Sequence, residues 1–130
     1  MKIITIVLKV ILSVILVLPI GGLLGIFPEP TADLYNTKQA FDFITMLNVA
    51  IYISYTMVIV HVIALYSLWT GREALAALLI LPITVNVVGF HAFLDGGLLT
   101  GGAILGNIML LINAYFMWKS REKYHSILSK

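Results

Sequence analysis

The chain has 130 residues, 61% of them hydrophobic and only 11% charged, against about 25% charged in ordinary soluble domains. Its net charge of +2 is small and lies near the chain's ends, which excludes nucleic acid as a partner class. Cysteine is absent, which excludes a disulfide framework, a dithiol redox pair and a thiolate metal site.

Four stretches, 10–27, 43–71, 74–94 and 96–118, carry no Asp, Glu, Lys or Arg. Each approaches or exceeds the ~20 apolar residues an α-helix needs to cross a bilayer's hydrocarbon core. The expected fold is therefore an all-α integral membrane protein. One domain, 1–130, holds four transmembrane helices in one bundle, over about 3–27, 43–69, 73–95 and 97–118.

The first helix begins like a secretory signal, basic and then apolar, but its apolar run is long and no Ala-x-Ala pattern follows. It reads as a retained helix. Lys9, one turn inside the run, reads as a lipid-facing anchor whose amine snorkels to the interface. Pro19 leaves the Ile15 carbonyl without its helical donor and predicts a bend. The loop over 28–42 starts at Phe27-Pro28-Glu29-Pro30, where each proline biases its predecessor toward extended backbone. Thr31 or Asp33 is placed to cap a short helix running toward Phe41.

In the second helix Ser54 and His61 share one face, while Asn48, Tyr52, Tyr55 and Tyr66 share another. The third carries Pro82, which bends it by depriving Leu78, then Asn86, and then His91 and Asp95 at i and i+4. The fourth holds Asn107 and Asn113. The pairs Gly21 and Gly25, Gly97 and Gly101, and Gly102 and Gly106 have the small-xxx-small spacing that lets membrane helices approach closely.

Orientation follows from charge. With four crossings, seven of the eight Lys and Arg (Lys2, Lys9, Arg72, Lys119, Arg121, Lys123 and Lys130) fall on the side of the two termini, and only Lys38 on the other. The positive-inside rule then puts both termini in the cytoplasm.

Polar side chains inside hydrocarbon are costly and default to bundle-facing positions. At ~1.5 Å rise per residue, His61 lies about 12 Å deep, Asn107 about 15–16 Å, Asn86 about 20 Å, His91 about 27 Å and Asp95 about 31–33 Å. Two histidines separated by roughly 15 Å cannot share a metal whose ligands sit about 2.1 Å away, so no metal site is expected. The candidate ligand-binding residues are His61, Asn86 and Asn107 in a mid-membrane layer, with His91 and Asp95 in an outer one. The middle layer is either a satisfied hydrogen-bond network or a headgroup site. In the outer layer a carboxylate at i+4 would hold the imidazole's tautomer and raise its proton affinity. No nucleophile motif accompanies them, so no catalytic residue is assigned and a stand-alone enzyme ranks last.

At Pro82-Ile83-Thr84-Val85-Asn86, followed by Phe90-His91-Ala92-Phe93-Leu94-Asp95, the chain resembles the DoxX-like family of small bacterial membrane proteins. The Met1-Lys2-Ile3-Ile4 start, the Phe-Pro-x-Pro loop and a short basic tail extend the likeness. Where such relatives often carry a glutamate in the second helix, this chain has His61. The resemblance implies a multi-pass protein of the bacterial inner membrane, accessory to or a subunit of a membrane redox system. It also implies an isoprenoid quinone or lipid as ligand and a redox enzyme as partner. The other readings are a scaffold or homo-oligomer without its own ligand, and a small transporter or channel.

Overall fold

A computed structural model describes residues 2–129. Met1 and Lys130, both used in the sequence reading, lie outside the described residues. The described chain is helical: α1 (Lys2–Leu23), a 3-10 turn (Ala32–Leu34), α2 (Lys38–Val49), α3 (Ile51–Trp69), α4 (Glu73–Phe93), α5 (Ala103–Lys119) and α6 (Arg121–Leu128). Helices α1, α3 and α4 are long and apolar enough to cross a membrane, and α5 is apolar but shorter, at 17 residues.

Helix α4 packs against α3 on one side and α5 on the other, and α1 closes the bundle against α3 and α5. The shared core is Leu12 and Leu16 of α1, Ala64 and Leu68 of α3, Ala76, Ala77 and Ile80 of α4, and Met109, Ile112 and Phe116 of α5. Alanines at 64, 76 and 77, all buried, let the backbones of α3, α4 and α5 come close. The outward faces are apolar as well: Val14, Ile59, Val62, Val85 and Leu111 are exposed. A surface of that kind suits lipid and would be an aggregation liability in water.

Each helix ends where a backbone device stops it. Gly25, at φ +71°, closes α1 in a Schellman motif, with Ile26 N–H bonding the Gly21 carbonyl and Gly25 N–H the Gly22 carbonyl. Gly71, at φ +79°, sits at the same position after α3, where Arg72 N–H bonds the Ser67 carbonyl. The first helix therefore stops four residues short of the expected boundary at 27, because glycine takes the left-handed cap conformation before the prolines are reached.

The expected single helix over 43–69 is two. Thr37, not Thr31 or Asp33, provides the cap: its Oγ1 accepts from Ala40 N–H at 3.1 Å. Lys38 pairs with Asp42 at 2.6 Å in the first turn, so α2 starts ahead of the charge-free stretch. The break falls at Ala50, at φ −83° and ψ 57°, where neither glycine nor proline marks it. The fourth long helix begins at Ala103 rather than 97, because Gly96 and Gly97 take φ values of +83° and +109° and continue a loop.

Of the glycine pairs, Gly102 and Gly106 pack against another helix. A Cβ at Gly106 would lie 3.0 Å from Val87 Cγ1, and one at Gly102 would lie 3.3 Å from His91 Cε1. Gly21 instead receives the Phe27 ring of the following loop, while Gly25, Gly97 and Gly101 face open space.

Candidate functional site

His61 projects from α3 into the bundle and is 2% exposed. Neither ring nitrogen has a hydrogen-bond partner. This departs from the rule that buried polar groups are paired, and an orphaned polar group costs about 1–3 kcal/mol. The ring lines a cavity of about 180 Å³ whose other walls are apolar: Ile15, Leu18 and Pro19 of α1, Met57 of α3, Ile83 and Val87 of α4, and Leu105, Gly106 and Met109 of α5. Two sequence features create the space. Pro19, within the continuous helix α1, has no N–H for the Ile15 carbonyl and borders the cavity, and Gly106 removes a side chain opposite Val87.

A wider cleft of about 440 Å³ adjoins this cavity and shares Pro19 and Met57 with it. Its walls are the end of α1 and the start of the first loop on one side, with Asn48, Ile51 and Ser54 on the other. The α2–α3 break at Ala50 lies within that second wall. The cleft's lining includes the polar residues Glu29, Asn48 and Ser54, while His61 lines the smaller cavity.

The other two residues of the expected middle layer do not join His61. Asn86 is exposed, and its Nδ2 donates back to the Pro82 carbonyl at 2.8 Å. Asn107 is half-buried and donates to the Leu98 carbonyl at 2.7 Å, tying α5 to the loop before it. Asn113, fully buried, donates to the Ala77 carbonyl of α4 at 3.2 Å and leaves its Oδ1 without a partner.

His91 and Asp95 do meet, Nδ1 to Oδ2 at 3.0 Å. With the carboxylate as acceptor, Nδ1 carries the ring proton. Asp95 is 2% exposed, and the first loop completes its shell: Asn36 N–H donates to Oδ1 at 2.8 Å and Asn36 Nδ2 to the Asp95 carbonyl at 3.2 Å. Thr37 Oγ1 donates to the Leu94 carbonyl beside them. Asp95 is therefore a latch that fixes the loop across the end of α4, and that same loop walls the cleft. Tyr35 packs edge-on against Phe90, centroids 6.3 Å apart. Burial of its ring, and then the Asp95 charge, raise its phenol above the ordinary value.

At the opposite end the sequence reading missed a charge cluster. Glu73 takes Lys9 on Oε1 at 2.7 Å and Lys119 on Oε2 at 2.8 Å, joining the starts of α1 and α4 to the end of α5. Lys9 also donates to the Leu68 carbonyl at 2.9 Å and lies 5.9 Å from the Trp69 ring centroid. Its side chain is 13% exposed, so the lipid-facing anchor is corrected to a buried ion-pair partner. An acid directly across the bundle neutralises the amine more effectively than a reach to the interface would. The signal was available, since Glu73 is the one acid between the charge-free runs 43–71 and 74–94. Trp69 Nε1 donates to Ser13 at 2.9 Å, and Thr5 meets Tyr115 at 3.1 Å, at the same end.

Among the described residues, no group of three His, Asp or Glu side chains is close enough to hold a metal ion. Comparison with known protein families, curated proteins and solved structures gives no match for this chain.

Proposed function

We propose that this chain is a DoxX-like protein of the bacterial inner membrane which binds one amphipathic ligand, a quinone or lipid, with its polar head against His61. In this reading it serves a membrane redox system as accessory or subunit and does no chemistry alone. The observation that carries the binding role is His61 itself. It is a buried imidazole with both nitrogens unpartnered, in a residue that lines an apolar pocket beside a wider cleft. A bound polar atom would remove the cost of the orphaned ring, and the cleft gives an apolar chain somewhere to lie.

Four crossings with both termini cytoplasmic complete the proposal. Helix α5, at 17 residues, spans about 26 Å at 1.5 Å per residue, the low end of what a crossing requires. The chain contains no cysteine, so single cysteines introduced at Lys38 and Lys123 report sidedness without background. Membrane-impermeant maleimide should label position 38 from outside intact spheroplasts and position 123 only after lysis. The same accessibility at both positions would refute the topology.

The binding reading is tested by native mass spectrometry of protein purified in mild detergent, with retained small molecules identified after denaturation. Wild type should keep a stoichiometric quinone or lipid, and His61→Leu should lose it while remaining folded. Bare wild-type protein, or unchanged retention by His61→Leu, would remove the assigned site and shift the reading to a scaffold.

A further inference from the structure

Asn86 lies on α4 about 20 Å beyond Glu73, at 1.5 Å per residue, within a hydrocarbon core about 30 Å thick. Polar side chains at that depth ordinarily face the bundle interior. The Asn86 side chain is exposed instead. Its Nδ2 donates to the Pro82 carbonyl, which uses one of the amide's two N–H bonds. The second N–H and Oδ1 meet no group among the described residues. Lipid tails offer neither a donor nor an acceptor, so a partner for them has to come from outside the chain.

The face around Asn86 has no neighbour within the bundle. Helices α3 and α5 take two sides of α4, and α6 meets its start through Tyr124 on the Ala74 carbonyl. The exposed residues Leu78, Pro82, Val85, Asn86 and Phe93 fall with Gly89 inside an arc of about 100°, at 100° per residue. A Cβ added at Gly89 would meet nothing within 4 Å. A second helix can therefore come close to the backbone one turn from the amide.

The chemistry of the amide selects what covers this face. An amide both donates and accepts, so it is its own complement. A second copy of the chain, related by a two-fold axis along the membrane normal, carries its own Asn86 at the same depth. The free N–H of each then reaches the Oδ1 of the other. A different protein would need a polar group of its own at that depth.

We infer that the Asn86 face of α4 is a homodimer interface, closed by reciprocal amide hydrogen bonds between the two copies of Asn86. The inference is independent of the ligand reading at His61.

The test uses the full chain, labelled through Lys123→Cys, in vesicles of phosphatidylethanolamine and phosphatidylglycerol. Energy transfer between copies is followed as the protein is diluted in lipid. Wild type should dimerise, and Asn86→Leu should raise the dissociation constant about tenfold, the effect of two interhelical hydrogen bonds lost. The chain has no cysteine, so single cysteines under mild oxidation in native membranes map the contact. Val85→Cys and Gly89→Cys should form covalent dimers, while Ile59→Cys, exposed on α3, should not. That mapping leaves Asn86 in place and decides the matter even if Asn86→Leu fails to fold. Monomers at every dilution, or dimers that Asn86→Leu leaves unchanged, would overturn the inference. So would disulfides at Ile59→Cys in place of the α4 positions, or a crosslink from Gly89→Cys to a different protein.

Discussion

Removing the Glu73 carboxylate should destabilise the bundle by an amount that its two lysines do not share equally. Breaking a well-buried ion pair by deleting one partner costs about 3–5 kcal/mol, whereas an exposed pair contributes about 0–1 kcal/mol. The Glu73 and Lys9 side chains are 16% and 13% exposed, and that of Lys119 is 36% exposed. Lys9 additionally donates a hydrogen bond to the Leu68 carbonyl, so its amine is held even before the carboxylate is counted. Glu73→Gln should therefore cost about 2–3 kcal/mol, Lys9→Met about 1–2 kcal/mol and Lys119→Met less than about 1 kcal/mol. The double change Lys9→Met with Glu73→Leu should recover most of the loss, because apolar side chains of similar volume replace buried pairs without penalty. Reversible unfolding in mixed micelles across a double-mutant cycle measures each term. A cost below about 0.5 kcal/mol for Glu73→Gln, or Lys119→Met costing as much as Lys9→Met, would refute the ordering by burial.

In the same assay, ligand-free His61→Leu should be more stable than wild type by about 1–2 kcal/mol, since it removes an orphaned polar group and keeps an apolar volume; a loss would mean the ring has a partner after all. Gly102→Ala places a Cβ 3.3 Å from His91 Cε1 and 3.4 Å from Asp95 Oδ2. It should cost about 1 kcal/mol, while Gly101→Ala, with nothing within 4 Å, is the neutral control. Equal effects would put the His91–Asp95 latch elsewhere. Tyr35 supplies a pH dependence. Its folded-state phenol is raised by burial and then by Asp95, so as pH climbs through about 10 the unfolded chain ionises first. Stability from this group is intact below that pH and lost above it. Alkaline difference absorbance should show a late-titrating tyrosine that Tyr35→Phe removes, and an unchanged curve would contradict the burial.

The helical class and its apolar character were legible because they depend on local composition. A run without charge excludes a water-exposed helix wherever the chain goes. The His91–Asp95 contact was equally legible, because i and i+4 lie on one helix face whatever the surroundings. The break at Ala50 was not, since nothing at Val49-Ala50-Ile51 differs from ordinary membrane helix. Nor was the fate of the asparagines legible. Asn86 and Asn107 satisfy themselves on nearby carbonyls of their own segments, and depth along the helix carries no information about which way an amide turns.

From sequence alone the lengths of the charge-free apolar runs determine that the chain is helical and apolar, while the helix ends set by Gly25 and Gly96–Gly97 and the break at Ala50 came only with the structure. Only tertiary structure decided which face of each helix meets which neighbour. It brought Lys9 onto Glu73 across the bundle, set Asn36 on Asp95, and left the His61 ring unpaired beside a space bordered by Pro19 of one helix and Gly106 of another. A cavity is the volume that several side chains fail to fill, and no single stretch of sequence encodes it. The orphaned ring of His61 depends on what three other helices withhold from it.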